Sequence, residues 1–125
     1  MKKQAIKAET APMGLPFSPA IRLENLVFIS GQGPIDQNGK IIHGDIKAHS
    51  RLTLENFRRV IESAGSSMER VLQTTVYLKN LDDYPAMNEV YASFFPEPRP
   101  ARATVQAGLL FGMLVEVQGI AYIDK

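Results

Sequence analysis

Leu114-Val115-Glu116-Val117-Gln118-Gly119-Ile120-Ala121-Tyr122 is the stretch on which the fold turns. Side chains of a strand alternate between faces, so Val115, Val117 and Ala121 share one side while Leu114, Ile120 and Tyr122 share the other. Both sides are apolar, as in a central strand covered twice over. Glu116 breaks the pattern.

The neighbouring segments supply the rest of the sheet and its cover. Ala101 to Ala107 reads as a strand, entered through Pro96-Glu97-Pro98-Arg99-Pro100, which cannot continue a helix. Before it, about Asp83 to Phe95 predicts a helix with Tyr84, Met87, Tyr91 and Phe94 as its buried stripe. Asp82 or Asp83 caps that helix, and Pro85 fits its first turn. Val71 to Lys79 is a strand by propensity. Asp45 to Ala64 is a helix, with Leu54, Phe57, Val60, Ile61 and Ala64 on one stripe, Asp45 as cap and Gly65 as stop.

Residues 20–30 form two extended runs around Glu24-Asn25, the second stopped by Ser30-Gly31-Gln32-Gly33-Pro34. Asn38-Gly39, between Ile35 and Ile41-Ile42, is a hairpin signal. The order β-β-β-α-β-α-β-β predicts an α+β mixed sheet with two helices on one face. The helix-free face, apolar along 114–122, calls for cover by another subunit.

The 125 residues predict one domain, 1–125. With no cysteine, thiol nucleophiles, disulfides and thiolate metal sites are excluded. Fourteen Lys and Arg against 13 Asp and Glu leave a net charge of +1, which is not the footprint of a nucleic-acid binder. No apolar run approaches bilayer length, and none follows Lys2-Lys3 as a leader would, so the expectation is a cytoplasmic protein without a membrane partner. His43 and His49 flank Asp45 without a third strong ligand in register, so no metal is expected.

Three places could carry chemistry. Glu116 either performs acid–base work at a raised pKa or makes a structural ion pair or a solvent contact. Arg102, stiffly held after Pro100, either grips a carboxylate with its planar fork or is an ordinary surface arginine. Ser30-Gly31 ends a strand, where it either presents a hydroxyl and an N–H to a small ligand or simply turns the chain. No helix pattern follows it, so a phosphate loop does not fit.

Taken together, these pieces resemble the reactive-intermediate deaminase (Rid, YjgF-type) family over nearly the whole chain. The matching motifs are Pro16-Phe17-Ser18-Pro19-Ala20, Phe28-Ile29-Ser30-Gly31-Gln32, Leu54-Glu55-Asn56 and Thr74-Thr75-Val76-Tyr77-Leu78. Met87-Asn88-Glu89-Val90-Tyr91, Pro100-Ala101-Arg102 and Val115-Glu116-Val117 complete them. The resemblance implies a chorismate-mutase-like fold, a homotrimeric barrel with clefts between subunits, and no cofactor. It also implies hydrolysis of 2-imino acids or their enamine tautomers, such as 2-aminoacrylate and 2-iminobutanoate, to 2-keto acids and ammonia.

Carried over, Arg102 and Glu116 are the catalytic pair, Arg102 holding the carboxylate and Glu116 serving water and nitrogen. Phe17, Ser30, Gly31, Asn88 and Thr104 line the substrate site. Phe17 stands where many members have tyrosine, and Thr104 where some have cysteine. The 108–112 loop is about one residue short. Two alternatives remain: a non-catalytic trimer binding small carboxylates as a regulator, and a member acting on a different enamine. A ribonuclease role fits the balanced charge poorly.

Overall fold

The computed structural model describes residues 1–8 and 14–124, so residues 9–13 and 125 of the expected 1–125 domain lie outside it. The strands are β1 (Gln4–Ile6), β2 (Ala20–Leu23), β3 (Leu26–Gln32), β4 (Val71–Leu78), β5 (Ala101–Gln106) and β6 (Val115–Tyr122). Two helices, α1 (Ile46–Ser63) and α2 (Tyr84–Phe94), intervene. The strands form one sheet in the order β1-β2-β3-β6-β4-β5. Among the described residues only β4 and β5 pair in parallel; the other neighbours are antiparallel. This is the expected α+β mixed sheet with two helices, and β6 is central to it.

Helix α1 follows its sequence signals closely. The Asp45 side chain accepts the Ala48 N–H, and Gly65 takes a left-handed φ of 86° just past the helix end. Leu54, Phe57, Val60, Ile61 and Ala64 are all buried. Across the sheet they meet Val27, Val76, Val115, Val117 and Ala121, also buried, in one apolar core. Phe57 closes that core edge-on against Phe95, with ring centroids 6.4 Å apart.

Four expectations need correction. Strand β3 does not stop at Ser30 but runs to Gln32, with its register broken between Ile29 and Gln32; glycine permits the bulge that reads, in sequence, as a terminator. The Asn38-Gly39 hairpin shrinks to one bridge, Ile35 to Ile41. The Asp36 carboxylate holds its turn by accepting the N–H groups of Asn38 and Lys40. Asp83 occupies the N-cap of α2 without a side-chain hydrogen bond, while Asn80 caps the preceding 3₁₀ turn through the Asp82 N–H. Tyr84, expected in the buried stripe of α2, is 43 % exposed, and the buried positions there are Met87, Val90 and Tyr91.

The face of the sheet away from the helices carries Leu26, Phe28 and Val105, exposed to 41 %, 43 % and 42 %. Register lines them up with β6 and β4: Leu26 opposes Tyr122, Phe28 opposes Ile120, and Val105 lies beside Tyr77. No helix among the described residues is long and apolar enough to cross a membrane.

Candidate active site

Strand parity decides where the acid sits. Val115 and Val117 face the helices and are buried, so Glu116 between them projects from the opposite face. There it packs against Gly31, where an added Cβ would overlap the Glu116 carboxylate. The β3 bulge thus makes room for a carboxylate that any larger residue would displace. Glu116 has no ion-pair partner among the described residues. Burial raises its pKa above the ordinary 4.5. Of its expected roles, the structural ion pair is absent here.

Glu116 borders a cavity of about 480 Å³ whose walls include Phe17, Ser30, Gly31, Phe111 and Met113. Ser30 straps this wall together: its Oγ donates to the Ser18 carbonyl at 2.6 Å, and its N–H donates to Pro19. The hydroxyl proton is therefore committed, and its oxygen remains as an acceptor for a ligand. Phe17 adds an exposed ring and no hydroxyl. Phe111, at a left-handed φ of 58°, stands 81 % exposed on the rim.

Two residues that no site motif marks support this region: Asn56 on the cavity wall, and His49 beside the segment that enters β6. Asn56, buried on α1, donates to the carbonyls of Gly33 and Ile35, each at 2.9 Å. His49, also buried, bridges Ile42 O at 3.0 Å and the Leu114 N–H at 3.3 Å, tying down the chain entering β6. The signal for Asn56 is a polar residue on an otherwise apolar helical face; for His49 no sequence signal distinguishes the role. Among the described residues no His, Asp and Glu cluster could hold a metal.

Arg102, Asn88 and Thr104 lie elsewhere. Arg102 pairs in register with Thr74 on β4. Thr74 faces the helices, where its Oγ1 lies 2.6 Å from the Tyr91 hydroxyl. Arg102 follows it to that side, its guanidinium carbon 4.7 Å from the centre of the Tyr91 ring and 5.6 Å from that of Tyr84. Cation–π contact fixes its plane. Thr104 is two residues on along the same face of β5, and Asn88 sits one turn after Tyr84 on α2. The Asn88 Oδ1 is buried without a hydrogen-bond partner among the described residues. Arg102 has no carboxylate partner there either. Arg99, by contrast, is spent on Glu97 at 2.9 Å.

The expected site residues therefore fall into two groups. Phe17, Ser30, Gly31 and Glu116 meet at the cavity. Arg102, Asn88 and Thr104 gather at the sheet's edge strand, on its other face.

A small α+β protein with one mixed sheet, an unpaired acid beside a glycine bulge and an unpaired arginine on the edge strand is the class these features define. The chain belongs to the endoribonuclease L-PSP (YjgF/Rid) family, whose model matches residues 6–123. It is 46 % identical over 123 residues to a RutC family protein of Pyrococcus horikoshii, covering 96 % of this chain and 98 % of that one. It is 40 % identical over 126 residues to the 3-aminoacrylate deaminase RutC of Acinetobacter baylyi, covering 98 % and 100 %. Among solved structures, E. coli TdcF with bound serine superposes with a TM-score of 0.89 at 32 % identity, over 97 % of this chain and 99 % of that one.

Proposed function

We propose that the protein hydrolyses small 2-imino acids, and the enamines in equilibrium with them, to 2-keto acids and ammonia. The observation that carries this reading is the pair of unspent charges: Glu116 in a cavity without a cation, and Arg102 on the edge strand without an anion. Substrate supplies what each lacks. Its carboxylate answers the Arg102 fork, and its electrophilic carbon lies where Glu116 can hold water.

An enamine first takes a proton on its terminal carbon and gives one up from nitrogen to become the imine. Glu116, ionised, then accepts a proton from water as the oxygen bonds to the imine carbon and the C=N π pair moves to nitrogen. The carboxyl so formed returns its proton to that nitrogen. The hydroxyl proton then passes to that nitrogen, and ammonia departs with the C–N electron pair as the carbonyl forms. Imine and water give keto acid and ammonia, with no redox change and no step that requires a cofactor. Burial raises the pKa of Glu116, making it a stronger base for the first transfer while it stays an acid for the second. Fixing water and substrate together contributes up to about 7–11 kcal/mol in favourable cases.

The two groups act as one site only when one chain's edge strand, with Arg102, Asn88 and Thr104, reaches the Glu116 cavity of another. A homotrimer closing its sheets into a barrel would do this while covering Leu26, Phe28 and Val105. The chain's small ligand is accordingly a 2-imino or 2-keto acid held between subunits. Residues 1–125 act as one domain in this reading, and its compartment is the cytoplasm.

The relative named as a 3-aminoacrylate deaminase favours a second reading, in which the enamine nitrogen sits one carbon further from the carboxylate. Both are tested by generating 2-iminobutanoate with a threonine dehydratase, trapping with semicarbazide, and repeating the assay with 3-aminoacrylate. Faster keto-acid release on adding the protein supports the first reading. Acceleration only with 3-aminoacrylate replaces it with the second, and acceleration with neither overturns both in favour of a binding protein.

A further inference from the structure

We propose that the Tyr84 hydroxyl is a second donor to the substrate carboxylate, gripping one oxygen while the Arg102 guanidinium takes the other. This rests on Arg102 being the carboxylate-binding residue.

Tyr84 opens α2 in phase with Met87 and Tyr91, which are buried, yet its own side chain is withheld from the core and 43 % exposed. Its ring therefore serves something other than packing. The Tyr84 oxygen accepts a hydrogen bond from the Arg102 Nη2 at 3.2 Å. Side-chain hydrogen bonding from Asn88 comes first, then that from Arg102 and the Arg102 charge, in holding the phenol below its ordinary pKa of 10.0. An oxygen that accepts from the Arg102 Nη2 keeps its own hydrogen for an acceptor elsewhere. Among the described residues the Tyr84 O–H donates to nothing.

Polarisation by neighbouring donors strengthens such a hydroxyl as a donor. Tyr91 holds the other side of the guanidinium, its ring centre 4.7 Å away and its hydroxyl occupied by Thr74. Tyr84 is thus the exposed aromatic of the pair, and it stands beside Arg102, which has no carboxylate partner among the described residues. A phenylalanine would keep the cation–π contact but lose both the oxygen that accepts from Arg102 and the proton that oxygen can offer a carboxylate.

The test is Tyr84→Phe, measured by calorimetric titration with 2-oxobutyrate and by steady-state turnover of 2-iminobutanoate, with melting temperature as control. The expected result is about ten-fold weaker keto-acid binding, a matching rise in KM that exceeds any change in kcat, and an unaltered melting temperature. Wild-type affinity in the variant overturns the proposal. So does a loss confined to kcat, or a loss that follows a lowered melting temperature, or a wild-type protein that binds no 2-oxobutyrate. Tyr84-dependent 2-oxobutyrate binding without any imine turnover would uphold the donor and instead refute the deaminase reading.

Discussion

Glu116 and Arg102 project from opposite faces of the same sheet. Glu116 lies opposite Tyr77 on β4, and Arg102 pairs with Thr74 three residues earlier on that strand. Two strand spacings and three residues along the strand separate them by roughly 10 Å in each direction. No rotamer change brings them together within one chain. A site using both needs two copies, and the predictions below follow from that geometry.

Replacing Arg102 by lysine keeps the charge but loses the planar fork and its stacking on Tyr91. We expect kcat/KM for imine hydrolysis to fall by at least about ten-fold, one charged hydrogen bond's worth, without loss of fold. Steady-state assays on the purified variant, with its circular dichroism spectrum, check this.

Glu116 has its pKa raised by burial, so the folded state binds its proton more tightly than the unfolded chain does. Stability contributed by this group is then greatest below the ordinary pKa of 4.5 and declines as pH rises through the raised value. Glu116→Gln should melt higher than wild type at pH 7 and lose that advantage at low pH, while activity disappears. The acid limb of wild-type kcat/KM should lie above pH 4.5, as the base must be ionised. Melting curves and rate profiles across pH measure both.

Two glycine substitutions should separate function from folding. An alanine Cβ at Gly31 meets the Glu116 carboxylate, a movable side chain. At Gly119 it meets the Gln73 carbonyl oxygen at 2.5 Å, which is backbone. Gly31→Ala should fold with most activity gone, whereas Gly119→Ala should lose about 1–3 kcal/mol of stability or fail to fold. Denaturant titration paired with activity distinguishes them.

Asn56→Ala strands the Gly33 and Ile35 carbonyls where the cavity wall turns. A loss of about 1–3 kcal/mol is expected from the unmade hydrogen bonds. Urea unfolding provides the number.

The sequence made some of this legible for identifiable reasons. Helix α1 carries its own punctuation in Asp45 and Gly65 around a clean apolar period, and β6 reveals two dry faces by alternation. β1 is three residues of mixed character, Gln4-Ala5-Ile6, too short for any period to register. The extension of β3 through Ser30-Gly31-Gln32 is invisible because glycine marks a bulge and a stop alike. Tyr84 obeys the helical period but sits at the sheet edge beside Arg102, where it stays 43 % exposed. The division of Arg102 from Glu116 depends on the parallel register of β4 with β5, which no local pattern encodes.

Oligomerisation should depend on the helix-free face. Phe28→Asp places a charge amid Leu26, Ile120 and Tyr122. Sedimentation should show dissociated chains, and activity should vanish with assembly although Phe28 lies outside the cavity wall.

Mixed oligomers test the shared site most directly. Arg102→Ala and Glu116→Gln proteins, each inactive alone, are unfolded together in equal amounts and refolded as one pool. If each site takes Arg102 from one subunit and Glu116 from the next, about a quarter of the sites in random assemblies are intact. The account predicts recovery to about that fraction of wild-type activity. A mixed pool as inactive as its two parents, despite verified subunit exchange, would contradict it.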